Sequence, residues 1–399
     1  MRIGFLGPFS GQAGADYGSE MQVGAIQQQI FGVGQELAGL GHEVYVSRSW
    51  RSRARQDLVG GVHFVNVGPL AMTEQPIHGL VLPLGLVGLA PYVVRSPKRL
   101  HELDLDALVV HGVLCAFVAL MLFDTEETPK VFVASNNDMF VDKGSGHSTV
   151  PRLTKRMLLT VSRRYDAAVT LTNSGQRYLH SHGIDCRAVI PNAVNPDKFQ
   201  RKQEEGFILT ASRLVPHKRI EDLLYAFSAV RNDVPERLVI IGSGPCETAI
   251  RRLIHGLGIQ ERVMLQPFLP QAVYRDWLSR CNLFVLPSEA EAFGVVVIEA
   301  MASGKPVIAR DIIGPKDIIT SGHDGYLFRT RDELGGQIKI LSSDLSLRAR
   351  LGKNARETVE RRFTFKSVAL QFQILLSSLH RRANGSTAAG DLSESVEKT

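Results

Sequence analysis

The densest run of residues able to do chemistry is Pro287-Ser288-Glu289-Ala290-Glu291-Ala292-Phe293-Gly294-Val295, continuing through Val296, Val297 and Ile298 to Glu299. Glu291 and Glu299 stand eight residues apart, so they are not neighbours within one helical turn and would serve separate parts of a long ligand. Phe293 and Gly294 fall at the mouth of the following helix, where free backbone N–H groups donate to phosphate or to a polarised sugar oxygen. Taken singly, Glu291 reads as a loop acid and Glu299 as a solvated helix acid. The whole string shifts that weighting towards a site.

A second cluster, Ser212-Arg213-Leu214-Val215-Pro216-His217-Lys218, follows an apolar strand pattern and precedes a helical one. Loops at the C-terminal ends of parallel strands line ligand crevices. Arg213 and Lys218 place two cations on one such loop, which suits neutralisation of a diphosphate leaving group, whereas two solvated surface cations are the bland alternative. A third motif, Gly242-Ser243-Gly244-Pro245, forms a tight turn after a strand. The dinucleotide fingerprint wants glycine where Glu247 stands, and a carboxylate there would repel a pyrophosphate, so a nicotinamide dehydrogenase is disfavoured. His111 comes at the end of the strand pattern Asp106 to Val110, and Gly24 opens a helical pattern where backbone amides could approach phosphate.

The elements that must position these residues alternate along the chain. Ile3 to Leu6, Glu43 to Ser47, Ala107 to Val110, Lys130 to Ala134 and Ala167 to Thr172 read as strands, with a long helical pattern from Val23 to Leu40. The alternation restarts after the turn-rich Pro191-Asn192-Ala193-Val194-Asn195-Pro196. Strand patterns at Phe207 to Ala211, Arg237 to Ile241, Val263 to Gln266, Asn282 to Leu286 and Pro306 to Ala309 are interleaved with helices over Arg219 to Arg231, Cys246 to Leu257 and Val295 to Ala302. Such βαβ order argues two doubly wound α/β domains with parallel sheets. The predicted boundaries are 1–193 for the first domain, 194–363 for the second, 364–382 for a C-terminal helix packing back across them, and 383–399 for a disordered tail.

Composition narrows the class. The 399 residues are 44% hydrophobic and 22% charged, with 36 Gly and 18 Pro, which excludes collagen-like, coiled-coil and wholly disordered chains. A net charge of +6 suits an anionic ligand or surface without demanding nucleic acid. The four cysteines, Cys115, Cys186, Cys246 and Cys281, are too dispersed for a CxxC or paired metal motif. No secretion signal is apparent after Met1-Arg2. Gly79 to Val94 is uncharged but is short for a span and broken by Pro83, Gly85, Gly88 and Pro91, and Ala107 to Phe123 reads as a strand feeding a helix. A cytoplasmic protein is expected. Basic residues Arg48, Arg51, Arg53 and Arg55, and the pattern from Arg152 to Arg164 with Lys155, Arg156 and Arg163, add an expectation of peripheral contact with anionic membrane, against a solvated charged face.

Together these motifs resemble the retaining glycosyltransferases of family GT4, of GT-B fold, from Met1 to about Leu379. Arg213 and Lys218 resemble the family's phosphate loop, Gly242 to Pro245 its GxGP turn, and Glu291 to Glu299 its E-x7-E motif. Gly304-Lys305-Pro306-Val307-Ile308 and Gly322-His323-Asp324-Gly325 resemble its flanks. Gly24-Ala25-Ile26-Gln27 is similar to its Gly-Gly loop, with Ala25 at the second glycine, and Asn195 stands where the linker usually has Asp. The resemblance implies transfer of a sugar from a nucleoside-diphosphate sugar to a hydroxyl of a glycan, glycolipid or small-molecule acceptor. A UDP-sugar is the expected donor because it is the commonest in the family, with a GDP-sugar the alternative. It further implies that Arg213, Lys218 and Gly24-Ala25 face the diphosphate, and that Glu291 with the Phe293, Gly294 and Val295 backbone holds the sugar. Glu299 takes the ribose and His111 the transferred sugar or acceptor side, with no metal or cofactor required. A nucleotide-sugar epimerase or a non-catalytic nucleotide-sugar-binding protein of the same fold is the competing reading.

Overall fold

The computed structural model describes residues 1–7, 25–48, 58–66, 95, 98–122, 128–135 and 151–383. Gly24, the Gly79 to Val94 stretch, Arg51 to Arg55 and the tail beyond Ala383 lie outside the described residues.

The first half is an eight-stranded sheet in the order β3-β4-β2-β1-β5-β6-β7-β8. Its strands are β1 (Arg2–Leu6), β2 (Glu43–Arg48), β3 (Leu58–Val59), β4 (Val62–Asn66), β5 (Ala107–His111), β6 (Lys130–Ala134), β7 (Ala167–Thr170) and β8 (Ala188–Val189). All pairings are parallel except β3 with β4. The helices are α1 (Ala25–Gly39), α2 (Val113–Leu122), α3 (Pro151–Arg164) and α4 (Asn173–Ser181). Within the Ala107 to Phe123 stretch, the buried strand β5 turns at Gly112 (φ 87°) into helix α2 (Val113–Leu122), as its β-branched start and helix-like end require.

The second half is an all-parallel six-stranded sheet, ordered β11-β10-β9-β12-β13-β14. It comprises β9 (Phe207–Ala211), β10 (Arg237–Ile241), β11 (Val263–Gln266), β12 (Leu283–Leu286), β13 (Val307–Arg310) and β14 (Gly325–Phe328). Around it lie α5 (Ile220–Val230), α6 (Glu247–Gly256), α7 (Gln271–Arg280), α8 (Val295–Ala302), α9 (Pro315–Ile318), α10 (Arg331–Ser343) and α11 (Leu345–Arg362). Both faces are apolar: Ile208, Leu238, Ile240, Leu283 and Val285 enter one core cluster, whereas Leu209, Val239, Ile241, Phe284 and Leu286 enter the other. This period of two, buried on both sides, is why these strands read as continuous hydrophobic runs.

In both sheets the strand order reverses beside the first strand, between β1 and β5 and between β9 and β12. The loops leaving those strands therefore diverge and open a crevice at their C-terminal ends. The halves are joined where Val194 pairs with Thr364 and donates to the Phe363 carbonyl at 2.9 Å. The linker is fixed by the buried Gln29 side chain, which donates to the Ala193 carbonyl at 2.8 Å and accepts from its N–H at 2.7 Å. The last helix, α12 (Phe365–Ala383), packs on α1 of the first half: Phe365 lies against Gly32, and Phe372 meets Phe5 edge-on at 6.4 Å.

Several boundaries differ from the sequence reading. Arg219 sits in the left-handed region (φ 49°) and precedes α5 rather than starting it. Cys246 and Leu257 flank α6 as caps. Ala383 ends α12 instead of opening the tail. His111 is the last residue of β5 rather than the one after it. Among the described residues no helix is long and apolar enough to cross a membrane.

Candidate active site

The site is assembled from two loops at the switch point of the second sheet. The loop leaving β9 carries Arg213 and then a turn of 3₁₀ helix, Pro216–Lys218. Arg219 ends that turn in a conformation costing a non-glycine residue on the order of 1 kcal/mol. Its side chain is held at Asp222 (3.1 Å), Glu221 (3.0 Å) and Glu289 (3.7 Å). The loop leaving β12 runs back alongside, and the Glu289 N–H donates to the His217 carbonyl at 2.9 Å. Across this junction Lys218 Nζ donates to Glu291 Oε1 in a largely buried ion pair. Arg213 remains exposed.

The glycine turn supports this loop from behind. Leu214 N–H donates to the Ser243 carbonyl at 2.9 Å, Cys246 N–H to the Leu214 carbonyl at 3.0 Å, and Ser212 N–H to the Ile241 carbonyl at 3.0 Å. A Cβ at Gly242 would overlap the Ser212 carbonyl, and one at Gly244 (φ 159°) the Leu214 backbone. Glycine is required at Gly242 because the Arg213 loop passes directly over it.

Gly294 (φ 105°) initiates α8, and among the described residues no side-chain hydrogen bond caps its first turn. An uncapped helix start presents N–H groups and partial positive charge to an oxygen-rich ligand. Phe293 contributes its backbone there while its ring is buried edge-on against Phe363 at 5.7 Å. Glu299, one turn and more into α8, is buried and accepts a hydrogen bond from Tyr274 Oη on α7 at 3.1 Å. Burial pushes its carboxyl up to about 7, and the same pair drives the Tyr274 phenol well above its usual range, burial again being the main cause. His217 Nε2 and Ser288 Oγ are buried without a hydrogen-bond partner among the described residues, as polar atoms waiting for a polar ligand would be. Burial, then Lys218, lowers the His217 pKa, which favours the neutral ring.

Behind the loops Asp222 is buried under three guanidinium groups: Arg219, Arg310 at 2.6 Å and Arg331 at 2.6 Å. Arg310 Nε also donates to the Pro287 carbonyl at 3.0 Å, which fixes the start of the acidic loop. Tyr274, Asp222 and Arg310 escaped the sequence reading because each acts on a residue distant in the chain and carries no local motif.

The structure thus brings Arg213, Lys218, Gly242, Glu291, Phe293, Gly294, Val295 and Glu299 to one switch point. His111 occupies the equivalent point of the first sheet, stacked on Phe5 at 6.4 Å and buried beside Ile30, Asn192, Val368 and Phe372. Burial pulls its pKa down to about 4, so it is a neutral imidazole. Ala25 is the first residue of α1, which leads back from that crevice.

Residues 192–358 match the family described as glycosyl transferases group 1, and residues 26–198 the family described as glycosyltransferase family 4. An exopolysaccharide phosphotransferase of Streptomyces coelicolor is 35% identical over 300 residues, which is 72% of this chain but 30% of that protein. This chain therefore spans less than a third of that relative's length. The N-acetyl-alpha-D-glucosaminyl L-malate synthase of Bacillus anthracis is 26% identical over 367 residues, covering 86% of this chain and 91% of that one. The crystal structure of HepE from Anabaena in complex with UDP is similar in fold, with a TM-score of 0.70 and 20% identity over 95% of this chain and 100% of that one. Two family matches that together run from residue 26 to 358, on two switch-point sheets of GT-B architecture, assign the chain: it belongs to the GT4-type glycosyltransferases.

Proposed function

We propose that this glycosyltransferase moves a hexosyl group from UDP-sugar to a hydroxyl of a glycan, glycolipid or small-molecule acceptor, with retention at the anomeric carbon and without a metal. The observation that carries the reading is the Lys218–Glu291 pair beside exposed Arg213 and the uncapped start of α8. A diphosphate entering there replaces Glu291 on Lys218 and gains Arg213 as its second cation. Glu291, released, accepts from sugar hydroxyls, and the Phe293 to Val295 backbone donates to the sugar. Glu299, held by Tyr274, accepts from the ribose hydroxyls. His111 and the start of α1 at Ala25 face the ligand from the first half, the neutral imidazole donating to or accepting from the transferred sugar.

In the reaction the bond from the anomeric carbon to the diphosphate oxygen breaks as the acceptor oxygen bonds on the same face. The acceptor proton passes to the departing oxygen, whose charge Lys218 and Arg213 neutralise in place of a metal. The UDP held by HepE and the glucosaminyl malate named as the synthase's product support this choice of donor and reaction. The exposed Arg163 and Arg164 at the end of α3 suit peripheral contact of the acceptor-side half with anionic lipid, which sedimentation with anionic vesicles at low salt tests.

The test is a screen of UDP-hexoses in the presence of a chelator, with the anomeric configuration of the product read by NMR. An α-linked product from an α-linked donor, formed at full rate with chelator, is expected. Inversion, loss of activity with chelator, or epimerised donor without transfer would overturn the reading.

A further inference from the structure

Helix α4 belongs to the first half, yet part of its N-terminus is capped by the second. Thr172 Oγ1 accepts from the Gly175 N–H at 2.9 Å in the usual local way, and no acidic residue lies in the helix's own first turn. The Ser174 N–H instead donates to Asp317 Oδ1 at 2.8 Å, from a residue 143 positions away in α9. A carboxylate at a helix N-terminus satisfies an orphan donor and meets the positive end of the helix dipole. The other oxygen, Asp317 Oδ2, is buried with no hydrogen-bond partner among the described residues, so Ser174 is the carboxylate's recorded hydrogen-bond donor.

Asp317 is tied equally closely to the sugar loop. Gly314 (φ 96°) starts α9 against the Phe293 backbone, so tightly that a Cβ there would lie 2.5 Å from the Phe293 carbonyl oxygen. Arg362 Nη2 donates to the Asp317 carbonyl at 2.9 Å, and its guanidinium lies over the Phe363 ring at 4.7 Å. Phe363 meets the Phe293 ring and receives the Val194 N–H where the halves are joined. The loop that precedes α8 is thus in contact with α9 through Gly314, and α9 with the other half through Asp317.

We propose that Asp317 is a positioning residue for transfer: its bond to the Ser174 N–H latches the acceptor-side half onto the sugar loop and holds the closed arrangement in which the acceptor meets the donor. The inference rests on the proposed transferase reading for its kinetic consequence. The side chains that would hold the nucleotide, Arg213, Lys218 and Glu299, lie on the second half, so the latch acts on turnover more than on nucleotide affinity.

The experiment compares the full chain with Asp317→Ala and Asp317→Asn, the second of which keeps an oxygen acceptor. UDP affinity is read by calorimetry, transfer and donor hydrolysis by product analysis, and the radius of gyration by solution scattering with and without UDP. Asp317→Ala should bind UDP within about twofold of the wild type but lose about tenfold or more in kcat, the scale of one charge-assisted hydrogen bond. The fraction of donor lost to water should rise, and the radius of gyration should increase. Asp317→Asn should recover most of the turnover. Unchanged scattering together with unchanged kcat and hydrolysis in Asp317→Ala would overturn the latch, as would an Asn variant no better than Ala. If the wild type binds no UDP, the transferase reading fails, and the ligand-free scattering comparison still decides whether Asp317 holds the halves together. UDP binding by Asp317→Ala doubles as the control that it folds.

Discussion

Replacing Glu291 by glutamine should separate the two roles the site gives this residue. The side chains of Lys218 and Glu291 are 12% and 9% exposed, so the pair sits largely out of water and is not a screened surface contact. Removing one partner of a buried pair leaves the other charge uncompensated, at a cost of about 3 kcal/mol. In a domain of this size that lowers the melting temperature by roughly 6–12 °C. A bound diphosphate supplies the missing counter-charge, so the loss should be regained on binding. The upper bound of the gain is the same ~3 kcal/mol, about two decades in Kd at 1.4 kcal/mol per decade. Scanning fluorimetry without ligand and calorimetry with UDP measure both halves of this cycle. The variant should melt lower, bind UDP more tightly and transfer sugar poorly, because the amide no longer accepts from the sugar as a carboxylate does. An unchanged melting temperature, or UDP binding weaker than in the wild type, would refute the exchange of counter-ions.

Three further outcomes follow from the same geometry. Gly242→Ala should disturb the Arg213 loop, since its Cβ would overlap the Ser212 carbonyl; UDP affinity should fall at least tenfold in calorimetry, whereas Gly256→Ala, where a Cβ meets nothing within 4 Å, should leave it intact. Glu299, with a carboxyl raised to about 7 from 4.5, gives up its proton more readily in the unfolded chain, so it removes stability as pH rises from 4.5 to 7. Urea denaturation across that range should show Glu299→Gln gaining on the wild type as pH increases, and parallel curves would contradict the burial argument. His111, lowered to about 4 from 6.5, acts oppositely: its contribution is present above pH 6.5 and is lost as pH falls towards 4, and its ring resonances in NMR should not titrate between pH 5 and 8.

Most of the site was legible because it lies at strand ends. The β9, β10 and β12 runs are buried on both faces, so apart from Thr210 and the exposed Arg237 their sequences are apolar blocks, and the polar residues that follow them mark the crevice. Other elements lacked such a signature. The strand Val62–Asn66 alternates with polar residues, β14 begins at Gly325, and α10 contains Gly335 and Gly336; neighbours rather than intrinsic propensity set these segments. Partners across the chain were also hidden. Glu291 reads as a loop acid until Lys218, 73 residues earlier, is seen to neutralise it, and Tyr274 and Asp317 have meaning only through Glu299 and Ser174. Spacing along a sequence reports one helix face or one loop, whereas a switch point joins loops that the chain separates.

The central claim is that the crevice between β9 and β12 holds the nucleoside diphosphate of a sugar donor. Its most direct test is calorimetric titration of UDP, GDP and ADP into the wild type, Lys218→Ala and Glu299→Ala, in the presence of a chelator. One diphosphate, UDP, should bind the wild type, with affinity lost or reduced at least tenfold in both variants. Binding that survives both substitutions, or no binding of any of the three by the wild type, would contradict the account.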